Sequence, residues 1–321
     1  MYHYRRRRSR IRLFVRGVVA LALVSTLTLG AAIGTNALGA KDRFDRLVER
    51  VDRFFNPPPD IALEDETVTA RPTPLPDPTV APTEPALPTP SLAPNATPPP
   101  ATPTPEPTPE PVRESVDFDL LAEAGVDPAD VFASEVETDM CAPAGVQMAL
   151  AVMGLADTSD AFQQELHSRV REWESFQDSQ NGNWGPFAMQ KALAASGADG
   201  YRVRVYETRE DALFDAAFAI RTLGKPVILL TWRGAHTWVM TGYRADADPT
   251  RFPDAHVTGA YILDPWYPRV SSIWGPSDPP GTFQDDAEMV RNYLPWERPE
   301  GRYGGRDGRW VALVPTTPAE G

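Results

Sequence analysis

Cys141 is the side chain of this protein best suited to nucleophilic chemistry. It is the only cysteine among 321 residues, so neither an intramolecular disulfide nor a cysteine-based zinc site is possible. Apolar residues recur every three or four positions between Val146 and Met153, which predicts a helix over 141–154 that begins at the thiol. A thiol ionises more easily at a helix N-terminus, where unpaired N–H groups favour negative charge. The alternative is a small apolar residue buried at a helix end.

A cysteine nucleophile also needs a histidine to carry its proton and a polar residue to orient that histidine. The chain has four histidines, and His236 opens a predicted strand over 236–243. Asp264 ends the next predicted strand, over 257–263, and reaches the imidazole of His236 if the two strands pair. Alone, a structural histidine and a turn-forming aspartate before proline are sufficient explanations. The order of the three residues along the chain favours a catalytic triad.

The elements that would position these residues lie in the last two thirds of the chain. Helical patterns occur over 141–154, 159–175, 186–196 and 208–223, and strand patterns over 201–206, 226–232, 236–243, 257–263 and 309–314. Because most helices precede most strands, the pattern predicts an α+β domain in which N-terminal helices pack on an antiparallel sheet.

Four short segments carry a resemblance to a known family. Residues 140–150 (MCAPAGVQMAL), 224–230 (GKPVILL), 236–243 (HTWVMTGY) and 263–266 (LDPW) follow one another in this order. They resemble the nucleophile helix, the histidine strand and the acidic segment of the bacteriocin-leader-peptidase-like, or double-glycine-peptidase-like, family of the papain-like cysteine peptidase clan. The resemblance covers roughly residues 130–270 and implies a papain-like cysteine peptidase fold.

The resemblance also implies a role for each residue. Cys141 would be the nucleophile, His236 the general base and acid, and Asp264 the orienting residue. The chain contains no phosphate-binding loop, no His-Glu-x-x-His zinc motif and no calcium-loop pattern, so we expect neither a cofactor nor a metal.

One position departs from the family pattern. Papain-like enzymes usually have a glutamine six residues before the cysteine, and its amide helps to stabilise the oxyanion; here that position is Glu135. An ionised carboxylate would repel the developing charge, and losing one oxyanion donor costs about 10²–10³ in rate. The sequence leaves four alternatives open. Glu135 points elsewhere, another donor replaces it, it is protonated, or peptidase activity is weak.

Aromatic residues near these motifs could line a substrate cleft. Trp184 lies on a predicted loop, and Trp238 follows His236 in its strand. We expect both to contribute to the cleft. The alternative for a strand tryptophan such as Trp238 is a place in the core.

The N-terminal third has a different organisation. A basic segment over 1–16 precedes an uncharged run over 17–40, which predicts a transmembrane signal anchor; a cleaved signal peptide is the alternative. Residues 41–56 predict a juxtamembrane amphipathic helix. Residues 57–112 contain 20 of the 35 prolines, which predicts a disordered linker that acts as a stalk for the domain over 113–321.

These patterns predict a single-pass protein of the cell membrane with an extracellular C-terminal domain. The range 113–321 has 32 acidic and 18 basic residues, so nucleic acid is excluded as a partner on electrostatic grounds. We expect a peptide or protein substrate, the membrane through the N-terminal helix, and a cell wall as partners. Three functions stay open: a thiol hydrolase of peptide or amide bonds, a transpeptidase or acyltransferase, and a binding module with little catalysis.

Overall fold

The computed structural model describes residues 65–75, 112–178, 184–297 and 305–316, with single residues and short runs between 44 and 63. The chain divides into two units, Met1–Pro59 and Asp60–Gly321. In the second unit the described helices are Leu120–Ala124 (α1), Cys141–Val152 (α2), Asp160–Ser168 (α3), Pro186–Ala195 (α4), Arg209–Leu223 (α5) and Asp286–Asn292 (α6). The described strands are Glu66–Val68 (β1), Val116–Asp119 (β2), Tyr201–Tyr206 (β3), Val227–Thr231 (β4), His236–Ala245 (β5), Val257–Leu263 (β6), Val270–Ser271 (β7), Gly275–Pro276 (β8), Thr282–Asp285 (β9) and Trp310–Pro315 (β10).

Most of these strands join one sheet. Within the described residues it has eight strands in the order β1-β3-β10-β4-β5-β6-β9, and β2 pairs with the far half of β5. Strand β1 runs parallel to β3, whereas the other pairs are antiparallel. Strands β7 and β8 form a separate short hairpin.

Both faces of the sheet are covered by helices. Successive side chains of a strand point to opposite faces, and β5 shows this directly: Val239 lies in a core with residues of α2 and α4, and Met240 in a core with residues of α5. The central strands are therefore apolar on both sides, which explains the continuous apolar run of β4.

The predicted α+β arrangement is wrong. Strand β2 precedes the helices, β1 adds a parallel strand at one edge, and α5 covers the face of the sheet opposite to α2 and α4. The fold is a mixed α/β fold with helices on both faces of the sheet. A periodic apolar pattern marks which side of a helix is buried but not which face of a sheet covers it, so the layer order was not visible in the sequence.

Strand β1 comes from a part of the chain that was predicted to be linker. Residues 65–75, the docking segment, lie within the range 57–112 but contact the domain. Asp65 binds Arg306 through both carboxylate oxygens at 2.7 Å, and Arg306 also donates to Asp178 at 2.8 Å. Arg306 and Asp178 are both buried, so the docking segment adds a second carboxylate to a buried ion pair.

The residues on either side of the Pro-rich range 76–111 are held at neighbouring positions of the domain. Leu75 N–H donates to the Thr250 carbonyl at 2.8 Å, and Arg71 donates to the carbonyls of Pro253 and Ala255. On the other side of range 76–111, Arg113 forms an ion pair with Asp254 at 2.9 Å. The chain therefore leaves and returns to the domain at the loop over 246–256.

The predicted transmembrane anchor over 17–40 and the basic segment over 1–16 lie outside the described residues. In the part of the chain that the structure describes, no helix combines the length and the apolar character that a membrane crossing requires. The predicted single-pass membrane protein with an extracellular C-terminal domain is therefore not supported. The described residues between Phe44 and Phe55 are helical, and the domain boundaries stay predictions.

The buried cluster around Arg306 generates a stability prediction. Arg306→Met removes the cation from a buried Asp178, and an uncompensated buried charge costs about 3–5 kcal/mol of the free energy of unfolding. Urea denaturation of the full chain, followed by tryptophan fluorescence, measures this. The matched control is Arg169→Met, which breaks the exposed pair with Glu172 and is expected to cost less than about 1 kcal/mol. Equal effects of the two substitutions would contradict the prediction.

Candidate active site

Helix α2 presents Cys141 at its first position. The N-cap residue is Met140, and no side chain makes a capping hydrogen bond there. The N–H groups of the first turn are therefore left without a side-chain acceptor, and they raise the local positive potential beside the thiol. Cys141 is half-buried, whereas the ten residues that follow it are buried.

The start of α2 is attached to the beginning of β5. The Thr237 hydroxyl donates to the Cys141 carbonyl at 2.7 Å, and the Cys141 Sγ lies 3.9 Å from the Ala235 carbonyl oxygen. The helix approaches the strand closely because position 145 is glycine: a Cβ there would lie 3.0 Å from the Thr237 Oγ1. These contacts bring the nucleophile candidate to the residues on either side of His236.

His236 and Asp264 form a direct hydrogen bond. The distance from His236 Nε2 to Asp264 Oδ1 is 2.7 Å, and both side chains are buried. An aspartate carboxylate only accepts, so Nε2 carries the proton and Nδ1 of the neutral ring is left as an acceptor. Asp264 Oδ1 also accepts from the Trp266 N–H at 2.9 Å, which fixes the carboxylate. The sequence prediction that these residues meet rests on the pairing of β5 with β6, which the structure contains.

Aromatic rings hold the imidazole on two sides. The Trp232 ring stacks on the His236 ring with 4.0 Å between centroids, and Trp274 stacks on the other face of Trp232 at 5.7 Å. Trp266 contacts the histidine edge-on at 6.3 Å. Because stacked rings lose contact area on tilting, this arrangement restrains the imidazole plane.

The turn before His236 has an unusual backbone. Trp232 and Arg233 have φ angles of 51° and 62°, in the left-handed region that side chains disfavour. Gly234 follows with φ 79°, and a Cβ at this position would lie 2.4 Å from the Trp296 ring, so only glycine fits. The Trp232 indole N–H donates to Asn292 at 3.0 Å, which stabilises the turn.

Burial makes the Cys141 thiol hard to ionise in the resting protein. Desolvation is the largest cause, and the charge of Glu135 is the second; together they raise the pKa of Cys141 to about 12. The Thr237 hydroxyl and the Ala142 N–H oppose this shift and lower the pKa. The resting nucleophile is therefore a thiol rather than a thiolate.

Glu135 lies in the same site, on the loop before α2. It is fully buried, and its backbone N–H donates to the Pro265 carbonyl at 2.9 Å, next to Asp264. Its Oε1 accepts from Arg269 Nη1 at 2.9 Å, whereas its Oε2 is buried without a hydrogen-bond partner. Arg269 also donates to the Val136 carbonyl, which holds it against this loop.

Desolvation governs the protonation of Glu135. Burial raises its pKa from 4.5 to about 8, although the neighbouring Arg269 pulls the pKa down. The charges of Asp264 and Asp139 add to the rise. The carboxyl group is therefore mainly neutral at pH 7 in spite of its guanidinium partner.

The cleft role of the two predicted tryptophans stays a prediction. Trp184 is half-buried, packs against Trp173 with 5.7 Å between ring centroids, and donates to His167 at 3.3 Å. Trp238 is buried in the core beneath β5. The structure thus brings Cys141, His236, Asp264 and Glu135 together, and it gives both tryptophans internal packing contacts.

Three contributors to the site were not found from the sequence. Trp232 was not singled out, and its stacking on His236 depends on the left-handed turn. Thr237 and Arg269 gave no signal at all. A buried acid such as Glu135 demands a cation, but the five-residue step from Asp264 to Arg269 matches no motif. Among the described residues, no group of three or more histidine, cysteine, aspartate or glutamate side chains could hold a metal ion.

Comparisons with known proteins give little beyond this geometry. No family model matches the chain, and no curated protein matches it. Among solved structures, the chain is similar to a double glycine motif protease from an AMS/PCAT transporter, determined in complex with the leader peptide. The two are 16% identical, the match covers 58% of this chain and 91% of that chain, and the TM-score is 0.27. A TM-score this low carries no argument about function.

The His236–Asp264 bond generates a spectroscopic prediction. Neutral His236 is expected to be the Nε2–H tautomer, because Asp264 accepts only from that nitrogen. Asp264→Ala removes the acceptor and should give a mixture of tautomers. Two-bond ¹H–¹⁵N correlation spectra measure this, with His236→Ala as the assignment variant. The exposed ring of His256 is the internal control and should not respond. A wild-type His236 with its proton on Nδ1 would contradict the geometry.

Proposed function

We propose that this protein is a cysteine-peptidase-like thiol hydrolase that acts on peptide or amide bonds. Cys141 is the nucleophile, His236 the general base and acid, and Asp264 the residue that orients the histidine. The observation that carries the proposal is the 2.7 Å bond from His236 Nε2 to Asp264, which leaves Nδ1 as an acceptor, with Cys141 attached to the adjoining residue Thr237.

The reaction would begin with a proton transfer. Because burial holds the thiol in its neutral form, His236 takes the Sγ proton as the sulfur attacks the carbonyl carbon of the substrate. The carbonyl π electrons move to oxygen and give a tetrahedral oxyanion. Asp264 stabilises the imidazolium that forms, and it keeps the ring in position.

The oxyanion then collapses. The carbon–nitrogen bond breaks, His236 returns its proton to the leaving amine, and a thioester on Cys141 remains. Water, deprotonated by His236, attacks the thioester carbonyl. The carbon–sulfur bond breaks, the acid product leaves, and the Cys141 thiol regains its proton.

The backbone supplies part of the oxyanion stabilisation. The N–H groups of the first turn of α2 have no side-chain cap, so the Cys141 N–H is available to the oxyanion. Preorganised donors of this kind need no reorganisation during the reaction. The surrounding tryptophans exclude water from the imidazole and strengthen the electrostatic interactions there.

Acyl-enzyme formation tests this proposal. With p-nitrophenyl acetate, the wild-type chain is expected to give a stoichiometric pre-steady-state burst of p-nitrophenolate, and Cys141→Ala is expected to give none. His236→Ala should slow the burst by about 10²–10⁴, the range for general acid–base catalysis. The matched control is His256→Ala, which removes an exposed histidine and should leave the burst intact. Mass spectrometry should locate the acetyl group on Cys141.

Two outcomes decide against hydrolysis. If the Cys141-bound acyl group is released mainly as an amide when glycinamide is added, the protein is an acyltransferase. If Cys141→Ala reacts like the wild-type chain, the thiol has no covalent role and the proposal is wrong.

A further inference from the structure

The environment of Glu135 is asymmetric. One carboxyl oxygen, Oε1, is held by Arg269 at 2.9 Å, and the other, Oε2, is buried without any hydrogen-bond partner. A buried polar atom without a partner is destabilising, so its presence calls for an explanation. If Glu135 served only as an ion-pair partner of Arg269, a bidentate contact would satisfy both oxygens.

We propose that Glu135 in its neutral form is an oxyanion-hole residue, and that its Oε2–H donates a hydrogen bond to the oxyanion formed at Cys141. The inference rests on the proposed thiol hydrolase function and deepens it. The hydrogen bond stabilises the tetrahedral intermediate without transferring the proton. The carboxylic acid of Glu135 therefore acts as a neutral hydrogen-bond donor to the oxyanion, as a side-chain amide would.

The position of Glu135 fits this role. It precedes Cys141 by six residues on the loop that leads into α2, and its backbone is bonded to Pro265, next to Asp264. Its charge acts directly on the Cys141 thiol, which it makes harder to ionise. The ionised carboxylate and the thiol are therefore electrostatically coupled in one desolvated site.

Arg269 has a defined part in this arrangement. It donates to Oε1, the oxygen that carries the double bond in the neutral acid, and so it directs the proton to Oε2. It also lies over the Trp266 ring, with its guanidinium carbon 5.6 Å from the ring centroid, and donates to Val136. These contacts restrain Arg269, and through its bond to Oε1 they restrain the carboxyl group of Glu135.

The charged groups that face Glu135 set the pH at which the donor is lost. Burial is the main cause of the raised pKa of about 8; Arg269 lowers the pKa, and Asp264 and Asp139 raise it. Below about pH 8 the acid is neutral and can donate. Above that pH the carboxylate repels the oxyanion and raises the pKa of Cys141, so both effects slow acylation.

Substitutions at position 135 test the proposal through the p-nitrophenyl acetate burst. Glu135→Ala should slow acylation at pH 6.5 by about 10²–10³, the usual cost of one oxyanion donor. Glu135→Gln keeps a neutral donor at every pH, so its rate should lie within about tenfold of the wild-type rate at pH 6.5. At pH 9 it should exceed the wild-type rate, because the alkaline fall near pH 8 disappears. The matched control is Glu123→Gln on α1, an exposed glutamate, which should retain that fall.

Thermal unfolding tests the protonation state without any catalysis. The unfolded chain releases the Glu135 proton near pH 4.5, and the folded chain keeps it until about pH 8. Between these values a rising pH therefore favours unfolding. The melting temperature of Glu135→Gln, relative to the wild-type chain, should increase from pH 5 to pH 8.5.

The outcomes separate the two proposals. If the wild-type and Glu135→Gln chains share one pH dependence of melting, Glu135 is ionised throughout and its role as a donor is wrong. Equal acylation by Glu135→Ala and the wild-type chain at pH 6.5 would also overturn that role, while the triad stands. A chain without any Cys141-dependent burst would overturn the thiol hydrolase itself and the role of Glu135 with it.

Discussion

The antiparallel pairing of β5 with β6 is the constraint on which the site depends. The register places Val239 opposite Leu263, so Asp264, one residue beyond β6, is level with Trp238 and diagonal to His236. Diagonal neighbours on one face of a sheet lie about 7–8 Å apart at Cα, within reach of a histidine and an aspartate. A slip of one residue would turn one of the two side chains to the other face. The helix that carries Cys141 then needs only the Thr237 bond to complete the arrangement.

A second constraint is the group of ionisable side chains that is buried near the paired ends of β5 and β6. Glu135, Arg269 and Asp264 share a small desolvated volume with the Cys141 thiol, and each alters the ionisation of its neighbours. The repulsion between these acidic groups is relieved because Glu135 and Cys141 keep their protons, not because one of the groups leaves the site. Desolvation makes the neutral carboxyl and the neutral thiol the stable forms. Proton positions in this site are therefore set by burial first and by ion pairing second.

The sequence was informative where the signal is local. The start of α2 at Cys141, β5 at His236 and the end of β6 before Asp264 were predictable, because apolar period and chain order define them. Strand β1 was not, because three residues in a Pro-rich range have no period, and β1 is stabilised by pairing with β3. Layer order, and with it the fold class, depends on long-range packing and was predicted wrongly.

The site shows the same division. Residue types and their order were sufficient to nominate the triad, whose catalytic roles stay a proposal. Partners that act through space were invisible, since neither the Trp232 stack nor the Arg269 pair leaves a pattern along the chain. The cleft role of the two predicted tryptophans stays a prediction. Trp184 and Trp238 lie near the motifs in sequence, but the interior provides them with packing partners.

Both ends of the Pro-rich range are attached to the same loop of the domain, and this decides the consequence of its length. The chain departs at Leu75, held by Thr250, and returns at Arg113, held by Asp254. A segment whose two ends are held by the same loop of the domain is itself a closed loop. Adding residues to it raises the entropic cost of loop closure only logarithmically. A single cut between 76 and 111 would leave two fragments, joined by a strand pair and the buried guanidinium of Arg306. The fold of this domain therefore does not depend on an unbroken chain in this range.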